Sequence, residues 1–597
     1  MFHGSRPIRK QYSARLQIPK AGFLGSGFGI ALCLRGGGNA WHSEFMEKKK
    51  VLIIGGVAGG ASCAARLRRL DESCEITILE RGPHVSFANC GLPYFIGDVI
   101  TAESKLVLAN AELFRERFGI VVKLHHEAVA IDPAAGRVTV SHTLTGEDLV
   151  FPYDALVLSP GAAPIRPPLP GIDLSGIFSV RTIPDSKHIR EWIDSRGATS
   201  AIVVGGGYIG IEMAENLLHR GLSVTLVEMQ TEILPNLDPE MAVLVRQRLE
   251  ERGCRFVLGD SVAAFEGKEN GALQVLAKSG AKLEGDLVIL ALGVRPETSL
   301  AREAGLKIGV TGGIEVDSRM RTSDPRIWAV GDAVQSMNIV TGQPIVLALA
   351  GPANRQGRIA ADNIAGRDSE FRGVQATSIL GVFGLAAAST GLTETALRRA
   401  GDSDFESVHI HPMNHVGYYP GATQIHLKLL FRPSNGKLLG AQAVGEADVA
   451  RRIDVIAAFL QKGGTVEDLA EAELCYSPQF GAAKDPVNFA GMVASNVLDG
   501  DMPVANWENL PGDAFLLDVR DDDEFAEGHV PGATNIPLAT LRQDFSALPK
   551  DRPIMAYCKV GQRGYYAVRF LRQHGIDARN VTGGILTWNA LRGMHRG

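Results

Sequence analysis

Two glycine-rich turns, one beginning at Gly55 and one at Gly205, constrain this chain more than any other feature. In the first, Val51-Leu52-Ile53-Ile54 opens into Gly55-Gly56-Val57-Ala58-Gly59-Gly60. Apolar helical spacing follows over 61–70, and a second strand over 75–79 ends at Glu80. In the second, Ala201-Ile202-Val203-Val204 leads into Gly205-Gly206-Gly207-Tyr208-Ile209-Gly210. A helix then runs through Glu212 and Glu215, and a strand over 223–227 ends at Glu228. Strand, turn, helix, strand and terminal acid make a dinucleotide-binding unit. N–H groups at the helix start hold a pyrophosphate, and the acid accepts from ribose hydroxyls.

The two turns differ in one respect. The second is a full G-x-G-x-x-G, in which Gly205 permits the tight turn, Gly207 the close pyrophosphate approach and Gly210 the helix–strand packing. In the first, Val57 holds the middle glycine position, leaving Gly55, Gly56, Ala58 and Gly59 as the cradle and Glu80 as the ribose acid. Glu228 would repel a 2′-phosphate, so the second site is expected to prefer NADH.

Length and composition set the frame. A chain of 597 residues holds three to five domains, and 45% hydrophobic with 21% charged residues is ordinary globular composition. A net charge of -5 gives no reason to expect nucleic acid or an anionic membrane as partner, and no run approaches the length of a membrane span. The seven cysteines are odd in number and irregular in spacing, which argues against a secreted disulfide scaffold, and no Cys/His cluster has metal-ligand spacing. A reducing, cytosolic compartment is expected. Residues 1–45 are Gly-rich and basic, and read as a disordered extension or an upstream start codon in preference to a targeting segment.

Soon after the first unit comes Ser86-Phe87-Ala88-Asn89-Cys90-Gly91-Leu92-Pro93. Cys90 has no second cysteine at C-x-x-C or C-x4-C spacing, so it can store oxidation only as a mixed disulfide, persulfide or sulfenic acid. Far downstream, Ile327-Trp328-Ala329-Val330 runs into Gly331-Asp332-Ala333, and residues 155–161 read Ala-Leu-Val-Leu-Ser-Pro-Gly.

With one nucleotide unit nested inside the other, residues 50–490 resemble the pyridine nucleotide–disulfide reductase family. The resemblance implies FAD at the first site, with Gly161 in the closing strand and Asp332 and Ala333 at the ribityl chain. It implies NADH at the second, NADPH being admissible, and electrons passing from NADH through FAD to a cysteine. The segment around Cys90 looks like the single-cysteine branch, which includes CoA-disulfide reductases, NADH oxidases and NADH peroxidases. No histidine stands in the first glycine loop, unlike the peroxidases, and the second cysteine and His-Glu pair of glutathione-type reductases are missing.

Several residues lean toward coenzyme A. Arg66 and Arg69 stand three apart on the first helix, suited to phosphates beside Ser86 and Asn89. Asn354 matches another CoA-contacting position of that branch. Tyr418 (or its neighbour Tyr419), Tyr476 and Lys484 resemble the tyrosine pair and lysine that the partner subunit of a homodimer supplies, where a phenol can protonate a leaving thiolate.

After residue 503 the chain starts again. A strand over 514–517 ends in Asp518-Val519-Arg520, Gly528-His529-Val530-Pro531-Gly532-Ala533 follows, and a strand over 553–557 ends at Cys558-Lys559-Val560-Gly561-Gln562-Arg563-Gly564. N–H groups ahead of a helix stabilise anionic sulfur. These pieces resemble a rhodanese domain. Cys558 would there carry a persulfide, and Arg563 would steady the loop or an anionic donor.

The expected fold class is therefore α/β. It comprises an FAD domain (46–165 and 290–370), a nested Rossmann-like NAD(P)H domain (166–289) and an α+β dimerisation domain (371–495). A linker (496–506) and an α/β rhodanese domain (507–597) follow. The expected activity is NAD(P)H-dependent reduction of CoA disulfide, CoA persulfide or polysulfide, which present the same S–S bond. A water-forming NADH oxidase cycling through a Cys90 sulfenic acid stays open, as does a redox-sensing scaffold whose rhodanese module only binds.

Overall fold

The computed structural model of the protein describes residues 48–593 apart from 270; the 1–45 segment lies outside them. Its first sheet is five-stranded and parallel, in the order Ile327–Ala329, Ala155–Leu158, Lys50–Ile54, Glu75–Glu80, Val121–Leu124. The strand Lys50–Ile54 is buried along nearly its whole length, which is why it reads as an unbroken apolar run: the helix Ala58–Leu70 covers one face, and the small antiparallel sheet of His126–Asp132, Arg137–His142 and Asp148–Pro152 covers the other. The chain leaves this sheet after Leu158 and returns only at Ile327, where Ala329 pairs in register with Leu158. A second parallel sheet fills the interval, in the order Arg255–Leu258, Ser223–Glu228, Ser200–Val204, Leu287–Leu290, Ile177–Phe178. The nesting is therefore literal.

The third sheet is antiparallel, in the order Ser378–Val382, Leu385–Gly391, Leu438–Gly445, Ile425–Phe431, Glu406–Ile410. Antiparallel strands usually alternate buried and exposed residues, yet every residue of Leu438–Gly445 is buried. One face packs on the helices Val449–Gln461 and Pro486–Leu498 through Ile453, Ile456, Val487 and Ala490. On the other face Leu380, Val382, Ala387 and Val444 join the core of the second nucleotide unit. A fourth sheet, parallel, runs Val504–Ala505, Ala578–Val581, Ile554–Tyr557, Phe515–Asp518, Thr534–Asn535.

The second nucleotide unit and the antiparallel domain meet at one ammonium. Lys428, 2% exposed, lies 2.9 Å from Asp238, 2.6 Å from Glu240 and 2.9 Å from Glu394. Burial opposes a charge there, but the three carboxylates outweigh it and hold the lysine protonated and Asp238, Glu240 and Glu394 ionised. His409 extends the network, with Nε2 3.0 Å from Glu240 and its backbone N–H donating to Thr582 of the last sheet at 2.7 Å.

Beside it, His411 and His426 meet through their Nδ1 atoms at 2.9 Å, and His411 Nε2 lies 3.0 Å from Thr587 Oγ1. Burial, with the neighbouring His426 and His409, holds His411 well below its ordinary range, and burial takes His426 down to about 4. Both rings are therefore neutral when folded, whereas in an unfolded chain they titrate near 6.5. The unfolded chain binds more protons below that pH, so this contribution is complete above about 6.5 and is lost as pH falls toward 4. The midpoint of thermal unfolding should accordingly fall between pH 7 and pH 5. His426→Leu should flatten that slope, and an unchanged slope in the variant would exclude the pair as its source.

Candidate active site

Both glycine turns open onto one cavity of about 1900 Å3. Gly55 has φ +90°, and a Cβ there would lie 2.0 Å from Ser159 O, so no other residue fits this turn. Gly205, at φ +108°, stands in the same relation to Ala291 O at 2.3 Å. The acids brace the turns from behind. Glu80 accepts from Gly56 N at 3.0 Å and Gly82 N at 2.9 Å, and Glu228 accepts from Gly206 N at 2.7 Å and Gln230 N at 2.8 Å. Gly56 and Gly210 are packing glycines outside the cavity lining, whereas Gly55, Ala58, Gly59, Gly205, Gly207 and both acids line it.

The departure at Val57 has a structural reason. A Cβ at Gly207 would meet nothing within 4 Å, leaving the second helix start open to the cavity. Val57 instead packs against the cluster of Phe87, Leu92 and Phe95, which underlies the Cys90 segment. The first helix also needs close approach on its far side: a Cβ at Gly357, on the helix Ala350–Ile364, would lie 2.3 Å from Gly59 O.

Gly161 and Asp332 line the same cavity; Ala333 is fully buried and outside the lining. Burial raises the Asp332 carboxyl, and Arg181 partly offsets this. Arg181 shares Glu297 with Arg81, at 3.1 and 2.8 Å. Ser159, whose Oγ accepts from Gly60 N at 3.1 Å, Arg181 and Glu297 are lining residues that sequence reasoning missed. Ser159 could have been found inside the strand-closing motif. The ion pair could not, because its members stand 116 positions apart. A floor of two glycine turns at helix starts, two braced acids and a cavity spanning both turns fits an FAD and a nicotinamide dinucleotide.

Cys90 stands on the short 3-10 turn Asn89–Gly91, ahead of the helix Leu92–Ile96, and its side chain lines the cavity. Burial raises its thiol, and the Glu212 and Asp332 carboxylates push the same way. Glu212, brought by the second helix, is pushed up to about 7 by burial, with Tyr94 Oη donating to it at 3.3 Å. Arg69, Ser86, Asn89 and Asn354 also line the cavity. Arg66 does not. Its Nε and Nη2 grip Asp362 at 2.8 Å, so the expected pair of free guanidiniums reduces to Arg69.

Tyr418 and Tyr476 come together, Oη to Oη at 3.2 Å, and both are exposed, as is Lys484; none of the three lines this chain's own cavity. Contact with Tyr476 raises the Tyr418 phenol. Tyr419 stacks edge-on with His415, its ring centroid 5.6 Å away.

In the last domain Cys558 is 1% exposed, and its Sγ accepts from Gly561 N at 3.2 Å. Arg563 donates to Asp521 at 3.1 Å and to Glu524 at 2.8 Å. Its guanidinium is thus engaged by two carboxylates. Among the described residues no group of His, Cys, Asp and Glu could hold a metal, all six cysteines are unpaired, and no helix is long and apolar enough to cross a membrane.

Comparison with known proteins agrees with this geometry. The family model "Pyridine nucleotide-disulphide oxidoreductase" matches residues 49–356, its dimerisation domain residues 377–485, and the rhodanese-like domain residues 504–591. The chain is 34% identical over 450 residues to a coenzyme A disulfide reductase of Staphylococcus haemolyticus, covering 75% of this chain and 100% of that one. The structure of reduced Bacillus anthracis CoADR-RHD is similar at 44% identity and a TM-score of 0.89, covering 91% of this chain and 98% of that one. An NAD-dependent persulfide reductase of A. fulgidus is similar at 35% identity and a TM-score of 0.85, covering 90% and 100%.

A direct test of the first turn is Gly55→Ala, which places a Cβ against Ser159 O in a backbone conformation unfavourable to L-residues. The variant should purify without flavin absorbance near 450 nm. A full flavin-to-protein ratio would separate this turn from cofactor binding.

Proposed function

The chain belongs to the pyridine nucleotide-disulphide oxidoreductase family, and on that premise we propose a flavoprotein that uses NAD(P)H to reduce CoA disulfide and persulfides, fused to a sulfane-sulfur-carrying rhodanese domain. The observation that carries this reading is Cys90, without a partner cysteine, in one cavity with both glycine turns, Arg69 and Asn354. When bound, FAD supplies the relay that passes the electron pair of NAD(P)H to sulfur.

The residues of the chain account for the rest. As a thiolate, Cys90 forms a new S–S bond with one substrate sulfur while the substrate's own S–S bond breaks and the other half leaves. Two electrons then cleave the mixed disulfide, returning Cys90 and releasing the second thiol. The balance is NAD(P)H, one proton and RS–SR′ giving NAD(P)+, RSH and R′SH. Arg69, Ser86, Asn89 and Asn354 form the polar approach to Cys90 and suit the phosphates and amides of a CoA thiol. In a homodimer, which the dimerisation domain supports, the partner subunit's Tyr418 and the partner subunit's Tyr476 would reach this approach. A phenol is protonated at neutral pH and can hydrogen-bond or donate its proton to a leaving thiolate. The unpaired cysteines suit a reducing compartment.

Cofactor choice rests on Glu228, which lines the cavity at the end of the second strand and would accept from a ribose 2′-hydroxyl. NADH should give the higher kcat/KM. Lys278 and Arg399 line the same cavity, so a clear NADPH preference would mean that one of them reaches the phosphate.

The two sulfurs separate the chemistries. Cys90→Ser should keep its FAD and lose anaerobic NADH oxidation with CoA disulfide and with persulfide. Cys558→Ser should keep CoA-disulfide reduction and lose sulfur transfer from thiosulfate. Near-normal turnover in Cys90→Ser, or NADH consumption that follows oxygen and needs no disulfide, would overturn the reading.

A further inference from the structure

The loop that carries Cys558 is shaped by a helix whose other side is held by the reductase part of the chain. The helix Gly584–Gly593 is entered through two left-handed residues, Gly583 before it at φ +70° and its first residue Gly584 at φ +59°. Its first turn faces the loop: Ile585 N donates to Cys558 O at 2.8 Å, and Leu586 N to Lys559 O at 3.2 Å. A Cβ at Gly584 would lie 2.3 Å from Cys558 O, so the contact is as close as a backbone allows. The Trp507 indole N–H holds Gly584 O from the linker side at 2.8 Å. The peptide on which Cys558 Sγ is mounted is thus fixed by this helix start.

The opposite side of that helix does not face solvent. Thr587 Oγ1 meets His411 Nε2 at 3.0 Å, Thr582 Oγ1 accepts from His409 N at 2.7 Å, and the helix ends with Gly593 O accepting from Arg246 at 2.9 Å. Thr582, Thr587, His409, His411 and Arg246 are each 8% exposed or less. His411 and His409 belong to the edge strand Glu406–Ile410 and the segment after it, and Arg246 to the helix Pro239–Glu251. A buried hydroxyl facing an imidazole nitrogen is a directional contact, since loss of either partner removes a buried hydrogen bond that no solvent replaces. It fixes the rotation of the helix about its own axis, and so the placement of Ile585 N and Leu586 N.

We propose that His411 and Thr587, together with the His409–Thr582 contact, are positioning residues for sulfur transfer at Cys558, so that the rhodanese loop takes its working shape from the reductase domains. This rests on the reading of Cys558 as a sulfane-sulfur carrier. In the assay reaction the outer sulfur of thiosulfate bonds to Cys558 Sγ as its bond to the sulfite group breaks and sulfite leaves. Cyanide then takes that sulfur as thiocyanate and returns the thiolate.

The experiment uses the full chain with FAD. Thr587→Val keeps the shape and removes the hydroxyl, and should lower kcat for thiosulfate:cyanide transfer by about fivefold or more while KM for thiosulfate and CoA-disulfide reduction stay within twofold. Thr587→Ser, which restores the hydroxyl, should recover the parent kcat. Thr582→Val tests the second contact and must show the same kcat loss, which keeps the inference open to refutation should Thr587→Val fold poorly. Parent-like transfer in both valine variants would overturn the inference, as would equal losses in Thr587→Val and Thr587→Ser. A parent enzyme with no sulfur transfer would instead overturn the carrier reading. In that case alkylation of Cys558 by iodoacetamide, with unchanged rates in the valine variants, would overturn the positioning role independently.

Discussion

One buried ammonium ties the second nucleotide-binding unit to the antiparallel sheet. Lys428 sits in the antiparallel sheet, two of its carboxylates begin the helix Pro239–Glu251, and the third belongs to the helix Glu394–Arg399. Taking these charges out of water is costly, and it is tolerated because the remaining lone pairs are also satisfied. Asp238 accepts from Glu394 N, Thr395 N and the Gln442 amide at 3.0, 2.9 and 2.6 Å. Losing the lysine would leave three carboxylates facing one another in the interior. Glu240 also engages His409, whose backbone N–H is bonded to Thr582, so the last domain is joined to the same polar network.

The two nucleotide turns solve one mechanical problem in the same way. A left-handed glycine abuts a carbonyl of the next strand's loop, and a carboxylate at the end of the second strand accepts the N–H that the turn leaves unpaired. The acid is therefore a structural brace of the turn. The middle position then adapts each turn to its surroundings: bare at Gly207, and at Val57 a side chain anchoring the Cys90 segment. Cys90 is held near the cavity by apolar packing beneath it, not by a covalent tie.

What the sequence made legible was local. Strand, turn, helix and acid lie within 30 residues of one another at both sites, and the Cys558 loop is a single heptapeptide between a strand and a helix. Long-range pairings stayed hidden because charge alone does not name its partner. Arg66 and Arg69 look equivalent on one helix face, yet Asp362, 296 positions away, engages the first and leaves the second facing the cavity. Lys428 lies in a strand that reads as apolar, and nothing near it in the chain announces the carboxylates it meets. Arg563 was legible as a loop residue, but its partners Asp521 and Glu524 come from the preceding strand-to-helix connection.

The nesting of one unit in another also sets an order of events during synthesis. The sheet that begins at Lys50 lacks the strand Ile327–Ala329, and its first helix lacks the Gly357 contact, until the intervening unit has been made. At ordinary translation rates that interval lasts about 10–30 s. The strands from Ile177–Phe178 to Leu287–Leu290 are contiguous in the chain and can close as they emerge from the ribosome. The inserted unit is thus complete while the domain that encloses it still waits, with an open sheet edge, for its last strand.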